Sequence, residues 1–232
     1  MEVRLNGRVY TCLEQLREQA DEELFLFLEE WFDDRSYVLG HTSGSTGAPK
    51  EIQLSKADMR ASARMTNAFF AIDRESVLLL CLSVSYIAGK MMVVRALEAG
   101  AELLTVKVSS HPLRITGQEE YVDRRIDLAA MVPMQVEESM KSESEKQRFG
   151  YIRHLIIGGA PVSVALEERL KKIPTQCYAT YGMTETVSHI ALKKLNSDPA
   201  YFALGEVGFE QDERGCLIIN APHLQARRFV TN

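Results

Sequence analysis

The segment Thr42-Ser43-Gly44-Ser45-Thr46-Gly47-Ala48-Pro49-Lys50 gathers hydroxyls, two glycines and a terminal cation directly after the apolar run 37–39. Hydroxyls and the backbone N–H groups beside glycines approach an anion closely, and the lysine adds positive charge, so phosphate is the natural ligand. This is not a Walker A loop: the Gly-x-x-x-x-Gly-Lys-Ser/Thr spacing is missing, and Pro49 has no backbone N–H to donate. A flexible Gly/Ser linker is the competing reading, but linkers rarely sit between a buried strand and an amphipathic helix.

Two further segments place glycines and polar groups after strand-like runs: Gly158-Gly159-Ala160-Pro161 and Tyr181-Gly182-Met183-Thr184-Glu185. Together with the loop, in this order, they resemble the adenylate-forming superfamily of acyl-CoA and aryl-CoA ligases. Within it, Tyr181-Gly182-Met183-Thr184-Glu185-Thr186-Val187-Ser188-His189-Ile190, Val132-Pro133-Met134-Gln135 and Ala221-Pro222-His223-Leu224 are similar to the o-succinylbenzoate:CoA ligases of menaquinone biosynthesis. The resemblance covers nearly all of the chain from Tyr37 onward.

The resemblance implies a ligase (AMP-forming) in which a substrate carboxylate attacks the α-phosphate of ATP, pyrophosphate leaves, and the CoA thiol displaces AMP from the acyl-adenylate. ATP, Mg²⁺ and CoA as co-substrate are implied with it, along with an aromatic or acyl carboxylate as small-molecule partner. Catalysis of this kind is mainly positioning and electrostatic stabilisation. By resemblance, Thr42, Ser43, Ser45 and Thr46, the turns at Gly44 and Gly47, and Lys50 hold the β- and γ-phosphates. Thr184 hydrogen-bonds the α-phosphate, and Glu185 helps to hold Mg²⁺, a hard cation suited to carboxylate and phosphate oxygens. Tyr181, beside Gly182, and the Gly158, Gly159 and Ala160 backbone sandwich the adenine; Tyr181 is otherwise a core aromatic.

For the acid pocket the family pattern has a His-hydrophobic-x-Gly segment, and here Tyr86-Ile87-Ala88-Gly89 stands in its place, so an aromatic gate without the imidazole is expected. Arg95 matches a basic residue that faces the ring carboxylate in the o-succinylbenzoate ligases, a role suited to a bidentate guanidinium; a solvated helix arginine is the other reading. Ser188 and His189 lie near the same pocket, and His189 reads equally well as a structural histidine.

Two departures shape the expectation. The phosphate loop begins at Thr42, which implies a shortened first subdomain, and the sequence stops at Asn232 before the family's ribose-binding aspartate. Residues 1–232 are therefore expected to be the ATP- and acid-binding N-terminal domain, without a C-terminal lid and inactive alone. Two other readings stay open: an adenylating enzyme that loads a carrier protein, and a nucleotide-binding module without catalysis.

The elements that must position these groups follow from periodicity. Leucine and aromatic spacings over residues 13–32 predict helical structure with a break near Asp21. A helix opens at Ser55, the run 77–82 reads as a strand, and a helix covers 87–97. Residues 103–108 read as a strand, 126–132 as an apolar segment, and a helix follows Pro133. The polar stretch 141–148 reads as a solvated helix end. Residues 154–157 form a strand, 164–171 a helix and 175–178 a strand. This alternation predicts an α/β fold with a largely parallel sheet and ligands at the strands' carboxyl ends. Short β-like runs at 187–192 and 215–220 predict a small β subdomain at the end.

Composition narrows the function classes. The 232 residues are 46% hydrophobic and 25% charged with a net charge of −5, which is globular and lacks the basic block of a nucleic-acid binder. The longest uncharged stretch, 76–89, falls short of the ~18 apolar residues of a membrane span. The charged N-terminus lacks a secretory core, so a cytoplasmic location is expected. Cys12, Cys81, Cys177 and Cys216 are far apart and read as buried small hydrophobes. A homo-oligomer is left open.

Overall fold

A computed structural model of the chain describes residues 1–41, 51–114, 124–195 and 197–231. β1 (Val3–Leu5) and β2 (Arg8–Tyr10) form an antiparallel hairpin. α1 (Leu13–Leu16) and α2 (Glu22–Phe32) follow, and then an antiparallel ribbon of β3 (Tyr37–His41) and β4 (Glu51–Ser55). Next come α3 (Lys56–Phe70), β5 (Val77–Leu80), α4 (Ile87–Ala99) and β6 (Glu102–Thr105). β7 (Ile126–Met131), α5 (Pro133–Ser139), α6 (Glu143–Arg148), β8 (Ile152–Ile157), α7 (Val164–Leu170) and β9 (Gln176–Gly182) continue the alternation. β10 (His189–Lys194), β11 (Phe202–Ala203), β12 (Gly208–Gln211), β13 (Leu217–Asn220) and β14 (Arg228–Val230) close the chain.

A nine-stranded sheet runs β11-β10-β9-β8-β7-β5-β6-β1-β2. The strands from β9 to β1 are parallel, and the pairs at both ends are antiparallel. Successive strand side chains point to opposite faces. Leu78, Leu80, Leu128, Ala130, Ile156 and Tyr178 therefore join the core beneath α2, α3 and α4, while Leu79, Ala129, Met131, Leu155, Ile157 and Cys177 join the core beneath α5 and α7. Burial on both faces explains why these strands read as continuous apolar runs rather than alternating ones.

Local chemistry sets the element ends. Ser55, Asp21 and Ser163 accept backbone N–H groups of Asp58, Leu24 and Leu166 at the starts of α3, α2 and α7, as N-caps do. Gly100, at φ +63°, closes α4 in the left-handed conformation open to glycine.

The structure departs from the sequence reading in four places. The first hairpin went unrecognised although Asn6 and Gly7 (φ 48° and 80°) form the Asn-Gly turn that marks such a hairpin. β10 and β11 belong to the large sheet, so of the tail strands β12, β13 and β14 make the separate small sheet; backbone pairing of β10 with β9 overrides its place in the tail. Residues 141–148 are not merely a solvated helix end: α6 buries Glu145, 1% exposed, whose carboxylate meets Nδ1 of His111 at 2.9 Å. Cys81 and Cys177 are buried, and burial pushes both thiols up to about 12, whereas Cys12 and Cys216 are partly exposed. Among the described residues no helix is long and apolar enough to cross a membrane.

His154 on β8 yields a stability prediction. It is buried against Phe70 and Tyr178, with ring centroids 5.0 and 6.0 Å away, and its Nδ1 has no hydrogen-bond partner. Burial, followed by the charge of Arg153, pulls its pKa down to about 4. Between an ordinary value of about 6.5 and that level, the unfolded chain binds a proton that the folded chain refuses. This contribution is level above about pH 6.5 and costs stability as the pH falls through the window. His154→Phe should therefore lose less stability than wild type between about pH 7.5 and about pH 5 in urea titrations; parallel losses in both would show that His154 is not the titrating group.

Candidate functional site

β5 leads through α4 to β6 on one side, whereas β7 lies on the other side of β5. Chain direction across the sheet thus reverses between β5 and β7, and the helices on the two sides cover opposite faces. Such a reversal leaves a crevice at the strands' carboxyl ends, where ligands of open α/β sheets bind. A cavity of about 350 Å³ opens there, within the range of small-molecule sites.

Its outer wall is backbone. A Cβ at Gly158, just after β8, would stand 2.4 Å from Oγ1 of Thr180, and Gly159 holds φ +81°, so the turn lies bare against the cavity. A Cβ at Gly182 would stand 2.4 Å from the carbonyl oxygen of Ser188 and 2.7 Å from Cα of His189; this contact joins the end of β9 to the start of β10. Ala160 is exposed beyond the turn.

Between these strands the chain makes a turn held from inside. The fully buried Thr186 accepts the Met183 N–H at 3.0 Å, and its hydroxyl lies 3.0 Å from the Met183 carbonyl and 2.9 Å from that of Ser188. Val187 sits at φ 64° and ψ −43°, and the Ser188 N–H bonds back to the Thr186 carbonyl at 2.6 Å. That is a γ-turn of the strained hand, unusual for a β-branched residue and of the sort that persists where the surroundings over-determine it. It places Thr184 in the cavity wall, with Glu185 exposed next to it. Among the described residues no cluster of three ligating side chains exists. A lone exposed carboxylate fits a Mg²⁺ that is held mostly by phosphate oxygens and water.

The deep end is cationic. Arg95 on α4 is 2% exposed, so it is not a solvated helix arginine. Its Nη2 donates to Oγ of Ser188 at 2.7 Å and lies 3.5 Å from Nδ1 of His189, and Nη1 lies 3.4 Å from Sδ of Met92; among the described residues Nε has no partner. Among the described residues it forms no ion pair. Burial pulls its pKa down to about 9, which leaves it charged at neutral pH. Burial, and then the charge of Arg95, holds His189 well below the usual histidine range, so His189 is neutral. Leu82, Ile87 and Met91 supply apolar wall between this cation and the mouth.

The structure thus gathers Gly158, Gly159, Gly182, Thr184, Arg95, Ser188 and His189 around one cavity. Tyr181 is half-buried beside it, with its ring 6.2 Å from Tyr201 and 6.3 Å from Phe209. Tyr86 caps the start of α4 in an extended conformation (φ −108°, ψ 153°) and is 60% exposed, outside the residues that line the cavity. Residues 42–50, which include Thr42, Ser43, Gly44, Ser45, Thr46, Gly47 and Lys50, lie outside the described residues. Sequence reasoning missed Thr66 of α3, whose Oγ1 meets Nε2 of His189 at 3.1 Å. A threonine in the middle of a helix carries no signal of such a contact.

The model of the AMP-binding enzyme family matches residues 9–223. Among curated relatives, 2-succinylbenzoate–CoA ligase of Oceanobacillus iheyensis is 25% identical over 198 residues, 81% of this chain and 40% of that protein. The Escherichia coli K12 protein of that name is 27% identical over 190 residues, 82% of this chain and 38% of its own. The chain therefore spans about 40% of the length of these relatives. Among solved structures, an acyl-CoA synthetase (AMP-forming)/AMP-acid ligase II-like protein from Dyadobacter fermentans superposes with a TM-score of 0.84 and 34% identity, covering 95% of this chain and 63% of its own. O-succinylbenzoate coenzyme A synthetase from Bacillus subtilis, in complex with ATP and magnesium ion, shares the fold with a TM-score of 0.64 at 20% identity, over 82% of this chain and 42% of that one.

The Gly182 contact is testable without any ligand. Gly182→Ala puts a methyl into backbone atoms and should cost about 1–3 kcal/mol in chemical denaturation. Gly150→Ala is the control, since a Cβ there would meet only a Pro174 side-chain atom at 3.7 Å; it should stay within about 0.5 kcal/mol. Equal midpoints for the two variants would refute the close approach of β9 and β10.

Proposed function

Since the chain belongs to the AMP-binding enzyme family, we propose that residues 1–232 form the nucleotide- and acid-binding part of an ATP-dependent acid:CoA ligase whose acid is o-succinylbenzoate. The observation that carries the acid is Arg95, a buried guanidinium without a carboxylate partner among the described residues, at the closed end of an apolar cavity. A buried unpaired cation is costly, and a ligand carboxylate relieves that cost. An aromatic dicarboxylate supplies one carboxylate for Arg95 and Ser188, a ring for Ile87 and Met91, and a second carboxylate for the mouth.

At the mouth, the bare backbone of Gly158 and Gly159 suits a flat base, and Tyr181 flanks the same strand end. Thr184 serves the α-phosphate, and Glu185 would help to hold a Mg²⁺ accompanying ATP, which would supply positive charge against the phosphates. The hydroxyls of residues 42–46 and Lys50 take the β- and γ-phosphates. The succinyl carboxylate forms a bond to the α-phosphorus as the bond to pyrophosphate breaks. The CoA thiol then bonds to the acyl carbon, loses its proton to solvent, and releases AMP. Apolar walls and a fixed cation hold the acid in register, so most of the rate comes from orientation and electrostatics.

The complete gene product should form CoA thioester from o-succinylbenzoate in the presence of ATP. Arg95→Ala should weaken transition-state binding for this acid by about 2–5 kcal/mol, since it breaks a buried ion pair. The same variant should spare 4-oxo-4-phenylbutanoate, which lacks the ring carboxylate; equal losses on both acids would remove Arg95 from acid recognition. Lys50→Ala and Glu185→Ala should each slow acyl-adenylate formation by at least about 10²-fold, measured as acid-dependent exchange of pyrophosphate into ATP. Near-wild-type exchange in both variants would overturn the phosphate and metal assignments.

A further inference from the structure

A polar chain crosses three elements behind the acid end of the cavity. Thr66 of α3 is fully buried, and its hydroxyl donates to the carbonyl of Ser62 at 3.2 Å. A hydroxyl has a single proton to give. With that proton given to Ser62, the Thr66 oxygen accepts from Nε2 of His189, 3.1 Å away, and Nε2 then carries the hydrogen. Nδ1 is left with a lone pair, which faces Nη2 of Arg95 at 3.5 Å and Oγ of Ser188 at 3.4 Å. A guanidinium has donors and no acceptor. The opposite tautomer would set an N–H against an N–H, and an imidazolium would set a second cation beside the first. α3 is itself tied to α4 at this level, because Nδ2 of Asn67 donates to the Arg95 carbonyl at 2.9 Å.

We propose that Thr66 and His189 are positioning residues for the acid site: the Thr66 hydroxyl holds His189 as the neutral Nε2–H tautomer, and Nδ1 of His189 with the Ser188 hydroxyl anchors the Nη2 edge of Arg95 in the cavity wall, while Nη1 lies 3.4 Å from Sδ of Met92. His189 is thus neither a ligand of the acid nor a proton carrier. Its burial next to Arg95 disfavours a charge on it, in agreement with this role. Among the described residues Arg95 is the charged group whose field reaches the ring. The direction of the guanidinium is then set from α3, a helix that contributes no residue to the cavity wall. The inference rests on the acid-site reading above for the identity of what Arg95 receives, and on the hydrogen-bond chain alone for how Arg95 is held.

Nitrogen NMR on the chain labelled at histidine and arginine tests this role. Wild type at neutral pH should show His189 protonated at Nε2 and bare at Nδ1, with dispersed Arg95 guanidinium signals; the opposite tautomer or an imidazolium overturns the proposal. Thr66→Val, which keeps the shape and loses the hydroxyl, should mix the tautomers and collapse the Arg95 dispersion. It should also weaken o-succinylbenzoate binding about tenfold with AMP affinity unchanged. Thr66→Ser should restore all of these. Wild-type spectra and affinity in Thr66→Val overturn the proposal. If Thr66→Val fails to fold, the wild-type tautomer and the spectra of Thr66→Ser decide between the two outcomes. If wild type binds no o-succinylbenzoate yet shows the expected tautomer and dispersion, the acid assignment fails while the positioning role stands.

Discussion

Parallel strands buried on both faces cannot be joined by tight turns, so each connection must cross over a face, and the site depends on the place where two such crossovers part company. α4 carries the chain from β5 to β6 in one direction, while β7, β8 and β9 build the sheet in the other. The crevice between the carboxyl ends of β5 and β7 is the cavity. Every wall follows from that reversal. The first half contributes α4 with Met91 and Arg95, and the second half contributes the turns after β7, β8 and β9. A cation in the first half therefore faces a run of glycines and hydroxyls in the second.

The two ends of the cavity are built on opposite principles. At the mouth the backbone is bare at Gly158, Gly159 and Gly182, and the turn after β9 is held by Thr186 inside it. Strain at Val187 is tolerated there because the buried hydroxyl and the close contact of β9 with β10 leave the backbone no alternative. At the deep end a full charge lies out of water, and its hydrogen-bond partners among the described residues are neutral. Such an arrangement is weakly stabilising at best in the empty protein. In the proposed function an anionic ligand would relieve that cost, so the stability of the fold and the affinity for the ligand would draw on the same group.

Much of the architecture was legible because its signals are local. The apolar runs of β5, β7 and β8, the cap at Ser55 and the glycine closing α4 depend on residues a few positions apart, and the structure has elements at those places. The glycine turns at 158–159 and Gly182 were legible for the same reason, since a bare backbone needs a glycine in the sequence. The misses were of two kinds. The Asn6-Gly7 hairpin had its signal and was overlooked, while the pairing of β10 with the large sheet had none, because strand partners are chosen by backbone groups that look alike in every residue.

Within the cavity, the sequence by itself determined which glycines, hydroxyls and charged residues were present, and in what order along the chain. Only the tertiary structure decided that Arg95 is buried without a carboxylate among the described residues, that Tyr86 turns out to solvent, and that Thr66 reaches His189 across 123 positions. The physical reason is that a side chain's charge state, tautomer and exposure come from the groups packed around it. Those groups arrive from α3, α4 and β10 only when the sheet brings the ends of β5 and β9 onto one rim.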